Sequence, residues 1–221
     1  ASLAGVAHRA GALVHCDAVQ AVGRMAVAVG ALDADLVAIS AHKFYGPKGS
    51  GALWMRRGVV IAPLVGGGHQ ERGLRPGTEN VAAIVGLGEA ARLVAGESLA
   101  AGERVTALRD RLEAAVRRIP GARIHGAVGA RVGGTSNVAF AGVPGDLLVA
   151  ALDLAGIACS TGAACTSGSP TASAVLLAMG QDKGRAREAV RFSLGPDNVD
   201  TEIERLEEVL PAVVARIREA T

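Results

Sequence analysis

The sequence predicts an α/β fold in two parts, and three observations carry that prediction. Residues 12–16, 36–39 and 52–55 are short apolar runs without polar alternation, which is how strands read when both faces of their sheet are covered. Residues 79–95 and 103–119 then place apolar side chains at helical spacing: Val81, Ile84, Val85, Leu87, Leu93 and Val94 in the first, Val105, Leu108, Leu112 and Val116 in the second. Beyond them short strands and helices mix, as in a compact α+β domain. A chain of 221 residues, 50% hydrophobic and 20% charged, can bury one large core or two modest ones.

Taken in order, residues 2–9 read as helix leading into the strand at 12–16. An opening directly on the inner layer of a sheet suggests part of a longer protein. Gly96-Glu97-Ser98 is a small polar break between the two helical stretches, and it divides the chain into residues 1–97 and 98–221. The second part reads as strands at 122–125 and 136–140, a helix at 146–154 and a small-residue loop at 160–169. Ser169-Pro170 suits the start of a helix, with serine as N-cap and proline at the first helical position. A strand at 189–194 precedes a last helix at 201–219, where Thr201 and Glu204 fit a capping box and Pro211 is a candidate kink. No internal repeat stands out.

Charge and cysteine content exclude several classes. The 23 basic and 21 acidic residues are interspersed, giving a net charge of +2 and no basic tract for nucleic acid or an anionic membrane. No apolar run reaches the roughly 18 residues of a membrane span, and the first residues lack a charged segment followed by an apolar one, so a cytoplasmic location is expected. Three cysteines make a poor disulfide framework, and Cys159 and Cys165 lack the second pair or flanking histidines of a metal site. Reduced thiols and no metal are expected.

The chemistry concentrates in a few stretches. Ser40-Ala41-His42-Lys43 ends an apolar strand and leads into the turn Phe44-Tyr45-Gly46-Pro47-Lys48-Gly49, a setting that suits a Schiff-base lysine. The chain has only three lysines, Lys43, Lys48 and Lys183, so the candidates are few. Lys48 competes, but Lys43 directly follows the strand. Ser40 and His42 can hold a phosphate, although such residues near a turn are often simple caps. Asp17, ending the strand in His15-Cys16-Asp17-Ala18-Val19-Gln20, can pair with a protonated ring nitrogen; taken alone, an aspartate there is more often a turn or capping residue. The glycine-rich passage 66–80 has no nucleotide fingerprint and reads either as a flexible loop or as an anion-binding loop with Thr78 at a helix start. Cys165 lies in ten residues with little to bury, which exposes its thiol, whereas Cys16 and Cys159 sit in apolar surroundings and read as packing cysteines. Arg191 interrupts an apolar strand and needs a partner, either a structural carboxylate or a substrate carboxylate held bidentately.

Together the passages at 15–20, 40–43, 66–80, 160–168 and 190–195 resemble, in order, those of the cysteine desulfurases, enzymes of the class-V aminotransferase superfamily with the type I fold of pyridoxal phosphate enzymes. The Ala-Cys-Thr-Ser loop is similar to that of the branch serving iron-sulfur cluster assembly and nitrogen fixation. The resemblance implies a partial large domain at 1–97 and an α+β small domain at 98–221 carrying the cysteine loop. It implies that Lys43 bonds pyridoxal 5'-phosphate, with His42 and Ser40 at the phosphate, Asp17 at the ring nitrogen and Gln20 at the ring hydroxyl. It also implies that Thr78 reaches the cofactor phosphate of a partner subunit in a homodimer, that Arg191 binds the carboxylate of L-cysteine, and that Cys165 takes the sulfur as a persulfide, releasing L-alanine. A sulfur acceptor or iron-sulfur scaffold protein would receive it. The histidine that stacks on the cofactor and an asparagine near its hydroxyl have no counterpart here, so the chain resembles the C-terminal part of the enzyme, with the extension that docks a scaffold short or absent. A related lyase or aminotransferase, or a catalytically incomplete binding module, are the alternatives.

Overall fold

The chain packs as two units, Ala1–Leu99 and Ala100–Thr221. The computed structural model describes residues 2–161 and 172–220, and for residues 97–101 the backbone alone.

In the first unit, helix α1 (Leu3–Arg9) is capped by Ser2, whose hydroxyl accepts from Gly5 N at 3.1 Å. Strand β1 (His15–Asp17), the short helix α2 (Val29–Leu32), β2 (Leu36–Ser40) and β3 (Gly51–Met55) follow. The sheet order is β1-β2-β3, with β1 parallel to β2 and β3 antiparallel to it. Asp35, just before β2, is buried and ties several elements together. It accepts from Val14 N at 2.8 Å and pairs with His8 at 2.8 Å and with Arg56 at 3.1 Å, so α1, the approach to β1 and the end of β3 converge on one carboxylate. The Val14 N–H and then the His8 hydrogen bond hold its pKa below the ordinary carboxylate value.

The expected cover on both faces is not what the first unit shows. Leu53 and Trp54, neighbours on β3 that point to opposite faces, are both exposed. Neither apolar cluster of this unit includes a β3 side chain: the residues between 14 and 34 and between 87 and 94 pack against β2 and the turn after it and leave Leu53 and Trp54 open. Among the described residues its buried apolar clusters are small, Ala18, Ala34 and Val37 in one and Ala41, Phe44 and Ala90 in another.

The two helical stretches form a single helix, α3 (Val81–Arg117), of 37 residues. The expected break at Gly96-Glu97-Ser98 fails because nothing there stops a helix. A glycine in a helix interior costs only about 1 kcal/mol relative to alanine, and no proline follows. Asn80 starts the helix, its Oδ1 accepting from Ala83 N at 3.2 Å.

The second unit contains the later part of α3, β4 (Ala122–His125), β5 (Thr135–Phe140), α4 (Gly145–Leu154), β6 (Ser160–Thr161), α5 (Ala174–Ala178), α6 (Lys183–Arg187), β7 (Ala189–Ser193) and α7 (Asp200–Ala220). Its sheet is antiparallel in the order β4-β5-β7-β6. Val138, Phe140, Val190 and Phe192 share one face and form a core with Leu108, Leu112 and Val116 of α3, Leu148 and Leu152 of α4, and Ile203, Leu206, Leu210 and Val214 of α7. Glu113 of α3 is buried at 1% exposure; it takes two hydrogen bonds from Arg131, at 2.7 and 2.8 Å, and one from Ser136 at 2.8 Å.

Three local readings change. Ser160 and Thr161 belong to a strand rather than to the small-residue loop, and the remainder of that loop, with the Ser169-Pro170 helix start, lies outside the described residues. The cap observed at α5 is Ser173, whose hydroxyl accepts from Leu176 N. At α7 the reach-back carboxylate is Glu202, which accepts from Val199 N at 3.0 Å, because the helix begins at Asp200; Glu204 instead faces Arg111 at 3.6 Å. The helix runs on through Pro211.

Candidate active site

Two parallel strands must end on the same edge of their sheet, and here they bring the sequence candidates with them. Asp17 is in register with Ala38, and β2 continues to Ser40 before a 3-10 turn at Ala41–Lys43. Ala41 locks that turn: its N donates to Ser50 O at 3.1 Å, its O accepts from Gly46 N at 2.9 Å, and its methyl is fully buried in the cluster with Phe44. Gly46 is required for this closure, since a Cβ there would stand 2.8 Å from the Ala41 methyl. The turn leaves Lys43 half-buried and His42 exposed, with His42 Nδ1 2.8 Å from Ser40 Oγ. A hydroxyl, an imidazole and an amine thus emerge within four residues at the C-terminal end of a parallel strand, where open α/β sheets bind ligands.

Asp17 is exposed and does act as a turn residue, with Oδ1 accepting from Val19 N at 3.0 Å; Oδ2 has no partner among the described residues. Gln20 is exposed in the loop that follows, and its carbonyl accepts from Arg24. Thr78 is exposed two residues before the capping Asn80. The passage before it folds back on itself: Gly73 N bonds His69 O and Gln70 O, Gln70 Oε1 accepts from Gly77 N at 3.1 Å, and Glu71 and Arg72 both adopt left-handed backbone. Lys48 is exposed in the turn after Lys43, and Lys183 is exposed at the start of α6. As a donor set, Ser40, His42, Lys43 and Asp17 fit a phosphorylated aldehyde with a basic ring nitrogen.

In the second unit Arg191 lies mid-strand in β7, half-buried, paired in register with Asn137 of β5 and Ser160 of β6. Cys165 follows β6 by four residues and lies outside the described residues. Cys159, just before β6, packs against the core, and burial, with the charge of Asp153 adding to it, pushes its thiol up to about 11. Cys16 is half-buried against the small cluster beneath β1 and β2. Sequence reasoning overlooked Asn137, although an amide in the apolar run Val138-Ala139-Phe140 breaks the pattern as Arg191 does. It also overlooked the Glu113–Arg131 pair, whose partners are 18 residues apart with no spacing signal.

Among the described residues no group of three or more His, Cys, Asp or Glu is placed to hold a metal, and no helix is long and apolar enough to cross a membrane.

The class-V aminotransferase family matches residues 1–206. A cysteine desulfurase of Gluconacetobacter diazotrophicus is 47% identical over 219 residues, 99% of this chain and 55% of that protein. One from Cereibacter sphaeroides is 50% identical over 217 residues, 98% of this chain and 55% of that protein. Among solved structures, a NifS-like protein from Rickettsia africae superposes with a TM-score of 0.88 at 29% identity, covering 96% of this chain and 56% of its own. The Escherichia coli cysteine desulfurase CsdA gives 0.83 at 26% identity, covering 96% and 54%. The chain therefore spans about half the length of the curated relatives it matches, and its two units carry the corresponding part of the type I fold. With a family match extending over 206 residues of the 221, the chain belongs to the class-V aminotransferases.

Proposed function

We propose that this chain carries the cofactor lysine, the nucleophilic thiol and the carboxylate-binding arginine of a cysteine desulfurase that acts on L-cysteine. The observation that carries the reading is the locked turn at Ala41–Lys43, which presents Lys43 beside the Ser40–His42 pair on the sheet edge where Asp17 also ends its strand. In this reading Ser40 and His42 bind the phosphate of pyridoxal 5'-phosphate, Asp17 pairs with its ring nitrogen, Gln20 contacts its hydroxyl, and Thr78 serves the site of a second subunit in a homodimer. The cofactor, when bound, supplies an electron sink for the bonds at the substrate α carbon.

The residues do the rest. Arg191 fixes the substrate by its carboxylate. Lys43 takes the α proton, and a proton is later returned to carbon. The Cys165 thiolate attacks the substrate sulfur; a sulfur–sulfur bond forms, the carbon–sulfur bond breaks with its electron pair left on carbon, and protonation there gives L-alanine. The persulfide on Cys165 then passes its sulfur to an acceptor protein or an iron-sulfur scaffold, in the cytoplasm. Residues 1–97 are then part of the cofactor-binding domain and 98–221 the small domain bearing the cysteine loop.

The test uses the complete protein that contains this chain. L-Cysteine should give alanine and sulfur in equal amounts, and Cys165→Ser should lose persulfide and sulfide while the visible cofactor band persists. Alanine formed at an undiminished rate by Cys165→Ser would replace this reading with a related lyase.

A further inference from the structure

Arg191 does not stand alone on its sheet. His125 is in register with Asn137, Asn137 with Arg191, and Arg191 with Ser160. Register partners on antiparallel strands point to the same face, so these four polar side chains form one line across β4-β5-β7-β6. Their face is opposite the one occupied by Val138, Phe140, Val190 and Phe192, since successive residues alternate. Three of the four keep a buried polar atom with no hydrogen-bond partner among the described residues: His125 Nε2, Asn137 Oδ1 and Arg191 Nε. Leaving such an atom unpaired is costly, more so on a charged group, so folded proteins keep few of them.

The three orphans are chemically complementary. Arg191 Nε can only donate, and the neighbouring Asn137 Oδ1 can only accept. The same carboxamide has N–H groups to offer on its other side, towards His125, whose ring accepts a hydrogen bond only when neutral. Burial, and then the charge of Arg123, favour that neutral form.

We propose that Asn137 is a positioning residue for Arg191, holding the guanidinium by its Nε edge, with His125 fixing which way the Asn137 carboxamide points. The inference rests on the reading that Arg191 binds the substrate carboxylate. With Nε engaged by Asn137, the paired terminal nitrogens of the guanidinium are left to grip a carboxylate bidentately. The contact closes by side-chain rotation once a carboxylate settles the guanidinium.

A double-mutant cycle on the complete protein tests this, with KM and kcat for L-cysteine, the Kd of the unreactive product L-alanine from the cofactor band, and thermal unfolding measured on each variant. Asn137→Ala should raise KM and the alanine Kd by about tenfold with kcat changed by less than about threefold, the signature of lost ground-state binding. In an Arg191→Lys background, where no Nε–H remains, the same change should have no further effect on either quantity. His125→Leu should move KM the same way by a smaller factor, and His125→Asn should restore it, which keeps the test open if Asn137→Ala fails to fold. An equal effect of Asn137→Ala in both backgrounds, or none in either, would overturn the positioning role while leaving Arg191 in place. An unchanged KM and alanine Kd in Arg191→Lys itself would instead overturn the carboxylate reading.

Discussion

Cys159 and Cys165 are separated by five residues, and the proposed desulfuration needs only one of them as a thiolate. Cys159 should be the slow one. Burial first, and the Asp153 charge second, carry its thiol from the ordinary 9.0 to about 11. Near pH 8 that shift cuts the thiolate population about a hundredfold relative to an unperturbed cysteine, and alkylation slows in proportion. The sign also fixes a stability trend: a group whose folded pKa is raised contributes stability below its unfolded pKa and loses it as pH rises towards the folded value, so this thiol favours the fold below about pH 9 and less above it. Iodoacetamide labelling of the native and urea-unfolded protein, followed by peptide mass spectrometry, measures the ratio directly. Cys159 should label about a hundredfold more slowly when native, with a rate that climbs about tenfold per pH unit up to pH 10. Equal native and unfolded rates would refute the desolvation argument. Loss of turnover in Cys159→Ser at unchanged stability, with Cys165→Ser still active, would transfer the nucleophile role.

Burial alone would raise the Glu113 pKa, but the hydrogen bonds from Arg131 and Ser136 outweigh it and hold the carboxyl below its ordinary value. Its stabilisation is therefore present above the unfolded carboxylate pKa and lost as pH falls through the folded one. Glu113→Ala should cost about 3 kcal/mol in urea unfolding at neutral pH and distinctly less in acid, because it strands Arg131. Gly46→Ala, whose new methyl would sit 2.8 Å from that of Ala41, should displace the turn bearing Lys43 and weaken the cofactor band. Borohydride reduction and peptide mapping of the cofactor-bound protein should place the pyridoxyl group on Lys43; finding it on Lys48 would sink the assignment.

Much of this was legible in residue order, and the failures have physical causes. In the second unit β4, β5, α4, β7 and α7 follow from periodicity because they bury a shared core, whereas β6, of two residues, and α6, of five, are too short to show a period. The first unit misled in a different way. Leu53 and Trp54 read as doubly covered, yet they stand open, because apolar composition records what a strand is built to meet and not what this chain supplies. The helix break at Gly96 failed because glycine only weakens a helix. The row from His125 to Arg191 needed strand register, which pairs residues 12, 54 and 31 positions apart and leaves no local trace.

The contrast between the two units leads to a last prediction. Among the described residues, seventeen buried side chains, all of them Leu, Ile, Val or Phe, make up the core of the second unit. The first unit buries two clusters of three, and four of those six are alanines. Full burial of a large aliphatic or aromatic side chain contributes about 1.5–3 kcal/mol, and an alanine methyl only about 0.8. The first unit is therefore held mostly by its sheet and by the Asp35 network, while exposing Leu53, Trp54, Val81 and Val85. Purified alone, the 221-residue chain should lose the first unit at lower urea than the second. The one tryptophan, Trp54, reports this directly, so its fluorescence transition should precede the loss of helical circular dichroism. The exposed patch should also bind a hydrophobic dye and drive self-association at higher concentration. Because Lys43, Ser40, His42 and Asp17 all sit in the weaker unit, the isolated chain should hold pyridoxal phosphate poorly and make no sulfide from L-cysteine. Coincident transitions would show that α3, shared by both units, couples them into one cooperative body. Sulfide production by the chain alone would mean that the first unit is organised well enough to work as it stands.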